Sequence, residues 1–416
     1  MRFQLLTRTE LPDFLDLPWE RPLTEWESPR IVEVSRGVGR HVVRFVEYGG
    51  HVYALKELPE RFAEREFRLL RELEERSIPV VELVGLVEDR GGEGNGVLVT
   101  RYLDYSLPYR LLFTGRGVPD LRNRLLDALA QLLVRLHLAG FFWGDCSLSN
   151  ALFLRDAGAL AAYVVDVETG ELHPELSDGQ RGHDLEIAEL NLAGELLDLA
   201  AESPRRERAA ADENALVTAR ELRPRYGALW TELTSEDVFA PDERFRLEGR
   251  LRRLNELGFD VEEIELIQTA RGYKMRLPTR VVEPGHHRRR LLSLTGLDVE
   301  ENQARRLLND MSGFRVELER REGRSLPEAV VAYRWRTEVY DAALAAIPPR
   351  LRSKLPPAEI FHELLDHRWY RSEAAGRDIG LTEAVRSYVD QVLAKVPDEG
   401  LIVATADRIA RPGVGP

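Results

Sequence analysis

Lysine is scarce in this 416-residue chain: among 58 basic residues only Lys56, Lys274, Lys354 and Lys395 are lysine, and Lys56 lies inside the apolar stretch YALKEL. Three further stretches place acids and an amide at suggestive spacing: EREFRLLREL with Glu66, WGDCSLSN with Asp145 and Asn150, and VVDVETG with Asp166. Together they suit phosphoryl transfer, which needs little covalent help but demands neutralised phosphate charge and an aligned nucleophile. A strand lysine can meet phosphates. A carboxylate can orient a hydroxyl, and amide and carboxylate oxygens are hard ligands suited to magnesium. Each stretch arises readily by chance, so the signal is their joint order.

Those residues need elements to hold them. From Ile31, the text IVEVSRGVGRHVVRFVEYGGHVYALKEL alternates β-branched and polar residues and is broken by Gly37, Gly39 and the pair Gly49-Gly50, which predicts three antiparallel strands. Glu60 to Arg76 has helical periodicity with Phe62, Leu69, Leu70 and Leu73 on one face, and Glu66 falls on that apolar face. An unpaired carboxylate is costly there, which favours an ion pair with Lys56 over a surface acid beside a snorkelling lysine. Val80–Val87 and Val97–Leu103 predict two more strands. Leu125, Leu126, Leu129, Leu132, Leu133 and Leu136 mark a long buried helix, and Tyr163–Val167 reads as a strand carrying Asp166.

Composition sets the limits. With 44% hydrophobic residues the chain can bury a large core, and its length predicts two or three domains. No apolar run reaches the roughly 20 residues that span a bilayer, and the start MRFQLLTRTELPDF lacks a signal-peptide layout, so a cytoplasmic location is expected. The single cysteine, Cys146, excludes an internal disulfide. A net charge of −13 disfavours nucleic acid as a partner.

Residues 31–200 resemble the protein-kinase-like superfamily, closest to compact branches such as the Kdo or WaaP-type lipopolysaccharide kinases and the Rio kinases. The whole chain resembles a bacterial lipopolysaccharide-kinase-like family whose members share the WGDCSLSN loop and a C-terminal domain of unknown function. The resemblance implies an α+β, two-lobed protein-kinase-like fold: an N-terminal extension at 1–30, a five-stranded N-lobe at 31–103 and a helical C-lobe at 104–205. A mainly α-helical domain at 206–416 follows. ATP and Mg2+ are the implied cofactors. Lys56 would contact the nucleotide's α- and β-phosphates and Glu66 would anchor it; Asp145 would orient the acceptor hydroxyl, and Asn150 with Asp166 would bind the magnesium. Gly37 and Gly39 would fold over the phosphates, and Thr100, Tyr102 and Leu103 would form the hinge that meets adenine.

The chain departs from that pattern in places. Trp143 stands where the resemblance expects histidine, Ser147 where it expects lysine, and Asp166-Val167-Glu168 replaces Asp-Phe-Gly. No Ala-Pro-Glu segment for a peptide substrate occurs, which points to a small-molecule, sugar or lipid-linked acceptor. Asp145 and Asn150 read alternatively as Asx turns, Asp166 as a cap, and Asp184 either as a brace for the WGDCSLSN loop or as a helix N-cap. Two other functions stay open. A nucleotide-binding pseudokinase is supported by Trp143. An adaptor acting on a protein or nucleic acid through the C-terminal domain is supported by the basic run His286, His287, Arg288, Arg289 and Arg290, which reads equally as a solvated helix start. Trp369 and Tyr370 read as core or interface aromatics.

Overall fold

The computed structural model describes residues 1–6, 12–34, 41–90, 95–107, 109, 121–201, 208–235, 237–239, 250, 254, 257, 259–261, 265–269, 272–277 and 282–396. Contacts divide the chain into two compact units. The first holds residues 1–154 and 162–226, and the second holds 155–161 and 227–400.

The first unit opens with an antiparallel sheet of strands β1 (Arg2–Leu5), β2 (Ile31–Val32), β3 (Val42–Tyr48), β4 (His51–Pro59), β5 (Leu83–Glu88) and β6 (Asn95–Arg101) in the order β1-β5-β6-β4-β3-β2. Six strands form where five were expected, because β1 leaves the N-terminal extension to pair with β5. Gly49 and Gly50 both take positive φ (61° and 83°), as a two-residue turn matched to strand twist requires, and this fixes the β3–β4 register from Tyr48↔His51 to Val42↔Glu57.

Alternation along β4 then sorts its side chains onto two faces. Tyr53 and Leu55 join Phe14, Leu17, Trp19, Leu23 and Trp26 of the extension in one apolar cluster. Arg90 pins that layer, donating to the Trp19 carbonyl (2.8 Å) and to Glu57 (2.7 Å). Lys56, of opposite parity, faces the other way. Helix α1 (Glu60–Glu75) buries Ala63, Glu66, Phe67, Leu70 and Leu73. Phe62 and Leu69, predicted for the buried face, are only partly buried, so the stripe is rotated slightly from the expected one and still includes Glu66.

A helical part follows with α2 (Leu121–Leu138), whose six predicted leucines are all buried. Then come β7 (Phe141–Phe142), the hairpin β8 (Ala151–Asp156) and β9 (Ala159–Val164), β10 (Glu171–Leu172), α3 (Asp178–Ala201), α4 (Arg208–Arg220) and α5 (Leu222–Thr234). Gly140, between α2 and β7, has φ of 77°, and a Cβ there would stand 2.1 Å from the His173 carbonyl oxygen. Only glycine allows that approach. A parallel bridge, with Val81 N–H donated to the Val164 carbonyl and Val164 N–H to that of Pro79 (both 3.0 Å), ties the end of β9 to the segment entering β5.

In the second unit, short strands β11 (Asp237–Phe239), β13 (Glu265–Thr269) and β14 (Gly272–Leu277) form one sheet, and β12 (Phe259–Val261) pairs with β15 (Val282–Pro284). Its main body is helical: α6 (His286–Thr295), α7 (Glu301–Glu322), α8 (Glu328–Trp335), α9 (Asp341–Ala345), α10 (Pro349–Arg352), α11 (Pro357–Ala375) and α12 (Leu381–Gln391) surround a core that includes Trp335, Tyr340, Phe361 and Tyr388. The 155–161 turn belongs to this body. Asp156 accepts the backbone N–H groups of Asn302 (3.2 Å) and Gln303 (2.8 Å), capping the exposed donors of the first turn of α7. Among the described residues no helix is long and apolar enough to cross a membrane.

Candidate active site

Lys56 sits in mid-strand, opposite Leu98 of β6. Its ammonium donates to both oxygens of Glu66 (3.0 Å each) and to Oδ2 of Asp166 (2.7 Å). Glu66 is fully buried, and burial pushes its carboxyl up to about 7 against the pull of Lys56. Burial alone would lower Lys56; the charges of Glu66 and Asp166 outweigh it and hold the ammonium above its ordinary value. A second tie secures the helix, since Arg65 of α1 donates to the Gly170 carbonyl (2.7 Å).

The loop from Trp143 to Asn150 is gripped by α3. Asp184 lies in the interior of that helix, fully buried, and not at its start as an N-cap would. Its two oxygens accept the backbone N–H groups of Trp143 (2.7 Å) and Gly144 (2.8 Å). His137 Nε2 lies 3.1 Å from Asp184, and its Nδ1 lies 2.8 Å from the Tyr226 hydroxyl. As Asp184 offers acceptors, Nε2–H donates to it. Further along α3, Glu195 accepts the N–H groups of Leu148 (2.7 Å) and Ser149 (2.9 Å).

Asp145 follows Gly144, whose φ of 74° turns the chain there. Asn150 Nδ2 donates to the Asp145 carbonyl (3.0 Å) and carboxylate (3.2 Å), and Asn191 Nδ2 donates to the other carboxylate oxygen and to the Cys146 carbonyl (both 3.1 Å). With its nitrogen so engaged, the side-chain oxygen of Asn150 is the end left for a cation. The Asn150 carbonyl accepts Val165 N–H (3.0 Å), which sets this loop beside Asp166. Cys146 is buried, and burial, with nearby Asp184, pushes its thiol well above the ordinary range, so it is not a reactive thiol.

Trp143 also proves to be more than a lost histidine. Its indole N–H donates to the Asp166 carbonyl (2.9 Å), so the loop and the β9 end remain bonded. Glu168 stands 2.7 Å from His41 Nε2. Asp166 Oδ1 accepts the Glu168 N–H (3.0 Å), the Asx-type turn that residue permits, while Oδ2 serves Lys56.

Thr100 pairs with Ala54 at the end of β6. Tyr102 donates its N–H to the Val52 carbonyl (2.8 Å), and the Leu103 carbonyl accepts from Ser106 (3.1 Å). Gly37 and Gly39 lie outside the described residues. Thus Lys56, Glu66, Asp166, Asn150 and Asp145 converge, with Thr100, Tyr102 and Leu103 leading away from the same sheet. Sequence reasoning missed Asn191, Glu195 and His137. The available signal was the spacing 184, 191, 195, which returns to one face of a helix otherwise lined by Leu185, Ala188, Leu192 and Leu196.

In the second unit the basic run is internally satisfied. Glu301 accepts the N–H groups of His287 (2.9 Å) and Arg288 (3.1 Å), while Arg288 pairs with Asp298 (2.6 Å) and Arg290 with Glu328 (2.9 Å). Trp369 and Tyr370 are exposed (57% and 64%), which removes them from the core.

This lysine–glutamate pair, helix-braced loop and strand-end aspartate describe a kinase-like phosphotransferase. Residues 50–192 match the lipopolysaccharide kinase (Kdo/WaaP) family, and the enzyme class this match supports is a kinase. Residues 228–393 match a domain of unknown function, DUF4032. A solved structure described as "WaaP in complex with acyl carrier protein" is similar at 19% identity and a TM-score of 0.32, over 54% of this chain and 88% of that one. No curated protein matches the chain.

Proposed function

We propose that the first unit binds ATP with Mg2+ and transfers its terminal phosphoryl group to a hydroxyl of a small-molecule, sugar or lipid-linked acceptor. The observation that carries this reading is the Lys56 ammonium held between buried Glu66 and partly exposed Asp166. A buried carboxylate is costly unless paired, and here the pairing lysine also reaches a second, partly exposed carboxylate that can meet a ligand.

The donor set fits magnesium. Asp166 offers a carboxylate and Asn150 a side-chain oxygen, both hard ligands, and magnesium in nucleotide sites takes one or two protein oxygens alongside phosphates and water. When bound, that ion neutralises phosphate charge. Lys56 binds phosphate oxygens, Glu66 fixes Lys56, and Asp145 aligns the acceptor hydroxyl and takes its proton at a carboxylate oxygen as the oxygen–phosphorus bond forms and the bond from the terminal phosphorus to the bridging oxygen breaks, releasing ADP. The acceptor class rests on the absence of an Ala-Pro-Glu segment between Asp166 and Asp184 and on the family matched.

Two observations weaken the other readings. Trp143 keeps a bond to the Asp166 backbone, which weakens the main support for a pseudokinase. Carboxylates within the second unit accept the His287 N–H and pair with Arg288 and Arg290, which weakens the support for nucleic-acid binding there. A protein partner for residues 206–416 stays compatible with the exposed Trp369 and Tyr370.

The test is thermal unfolding with MgATP against ATP plus chelator. At a ligand concentration one hundred times Kd, MgATP should stabilise by about 2.7 kcal/mol. Chelated ATP should do much less, since Asp166 and Asn150 reach phosphates only through a cation. No shift at millimolar MgATP would remove the nucleotide reading.

A further inference from the structure

One face of α3 carries Asp184, Asn191 and Glu195 at steps of seven and four residues. At about 100° per residue these steps bring all three within about 20° of a common line. Each grips a successive part of the same loop: Asp184 takes the N–H groups of Trp143 and Gly144, Asn191 reaches Asp145 and Cys146, and Glu195 takes those of Leu148 and Ser149. On this loop, Asp184 and Glu195 take backbone N–H groups. Asn191 differs, because it touches the Asp145 carboxylate itself.

The orientation of that amide is set by its surroundings. Both atoms facing Asn191 Nδ2, Asp145 Oδ1 and the Cys146 carbonyl oxygen, are acceptors, so the NH2 end must point at them. The opposite carboxylate oxygen, Oδ2, accepts from Asn150. Among the described residues these two amides are the side-chain donors to the Asp145 carboxylate. Ser147, where the resemblance expects lysine, is engaged elsewhere: its Oγ lies 3.1 Å from Ser149 Oγ and accepts Asn150 N–H at 3.2 Å.

We propose that Asn191 is a positioning residue for Asp145, fixing the direction of the base in place of a cation on the loop. This rests on the phosphotransfer reading above. One amide on each oxygen stops the carboxylate rotating, yet each oxygen keeps a second acceptor site for a hydroxyl. Being neutral, the amides fix direction without a formal charge next to the base. A rotation that displaced the accepting oxygen by about 1 Å would be enough to lose about 100-fold in rate.

Asn191→Ala and Asn191→Asp test this, using full-length protein, MgATP hydrolysis and the MgATP melting shift. Asn191→Ala should lower kcat about 10- to 100-fold while leaving KM for ATP and the melting shift unchanged, because Asn191 touches nothing assigned to the nucleotide. Asn191→Asp replaces the donor with an acceptor facing Asp145 and should lower kcat at least as far, again without changing the melting shift. A purely structural role would reduce the melting shift along with the rate. Either variant within about twofold of wild type in kcat, or a melting shift lost with the rate, overturns the inference alone. If Asn191→Ala does not fold, Asn191→Asp carries the test. Wild type without a melting shift or turnover overturns the phosphotransfer reading, and this inference with it.

Discussion

The two units both bury acidic side chains, but they use them differently. In the second, Asp156 caps α7, Glu359 accepts the Ala157 N–H (3.0 Å) and the Gln303 side chain (2.9 Å), and Glu301 closes the first turn of α6. Every one of those carboxylates ends on a helix terminus or a turn. In the first, Glu66 is as deeply buried but serves a lysine that also reaches partly exposed Asp166, and Asp145 is held by amides on a loop. Buried charge therefore does not mark function by itself. It does so where the chain of polar contacts ends at a group still able to meet a ligand.

That contrast can be broken first at Lys56. Lys56→Met and Glu66→Gln should each weaken MgATP affinity, Lys56→Met by about 30-fold or more on the scale of a truncated buried ion pair. The double variant should lose less than the sum, since the residues share one interaction. Fold should survive Lys56→Met, because a carboxyl already pushed up to about 7 can take a proton when its partner is gone. Fully additive losses would mean that the pair does not act as a unit.

The second unit sharpens the comparison through stability alone. Asp156→Ala leaves the α7 N–H groups without their acceptor and should cost about 1 to 3 kcal/mol in urea unfolding, with no change in the MgATP shift. Burial, followed by the charge of Glu300, pushes Asp156 up to about 7. Since its folded value exceeds the ordinary one near 3.8, its stabilising effect is full below about pH 4 and lost as pH rises through about 7. Asp156→Asn should flatten that part of the pH–stability curve. An unchanged curve would show that Asp156 does not titrate as its burial demands.

Much of the first unit was legible in the sequence for a physical reason: strand alternation, helix period and a scarce lysine act over a few residues. The positions that come together, Lys56 with Glu66 and Asp166, and Asn150 with Asp145, each sit in a short stretch whose type and order could be read. What escaped depends on distant segments. The sixth strand pairs Arg2–Leu5 with residues eighty or more positions away. Trp143 read as a loss because its backbone partner across the loop was invisible. Asn191 and Glu195 sit in a helix whose leucines drew the reading to packing. The carboxylates that meet His287, Arg288 and Arg290 lie up to 38 positions along the chain.

The most direct measurement is phosphoryl transfer, or background hydrolysis of MgATP, by Asp145→Asn beside its MgATP melting shift. Asp145 serves the acceptor and not the nucleotide, so turnover should fall by at least about 100-fold while the shift stays near that of wild type. Wild-type protein that binds MgATP yet shows no turnover, with Asp145→Asn indistinguishable from it, would contradict the account and leave the nucleotide as a structural ligand.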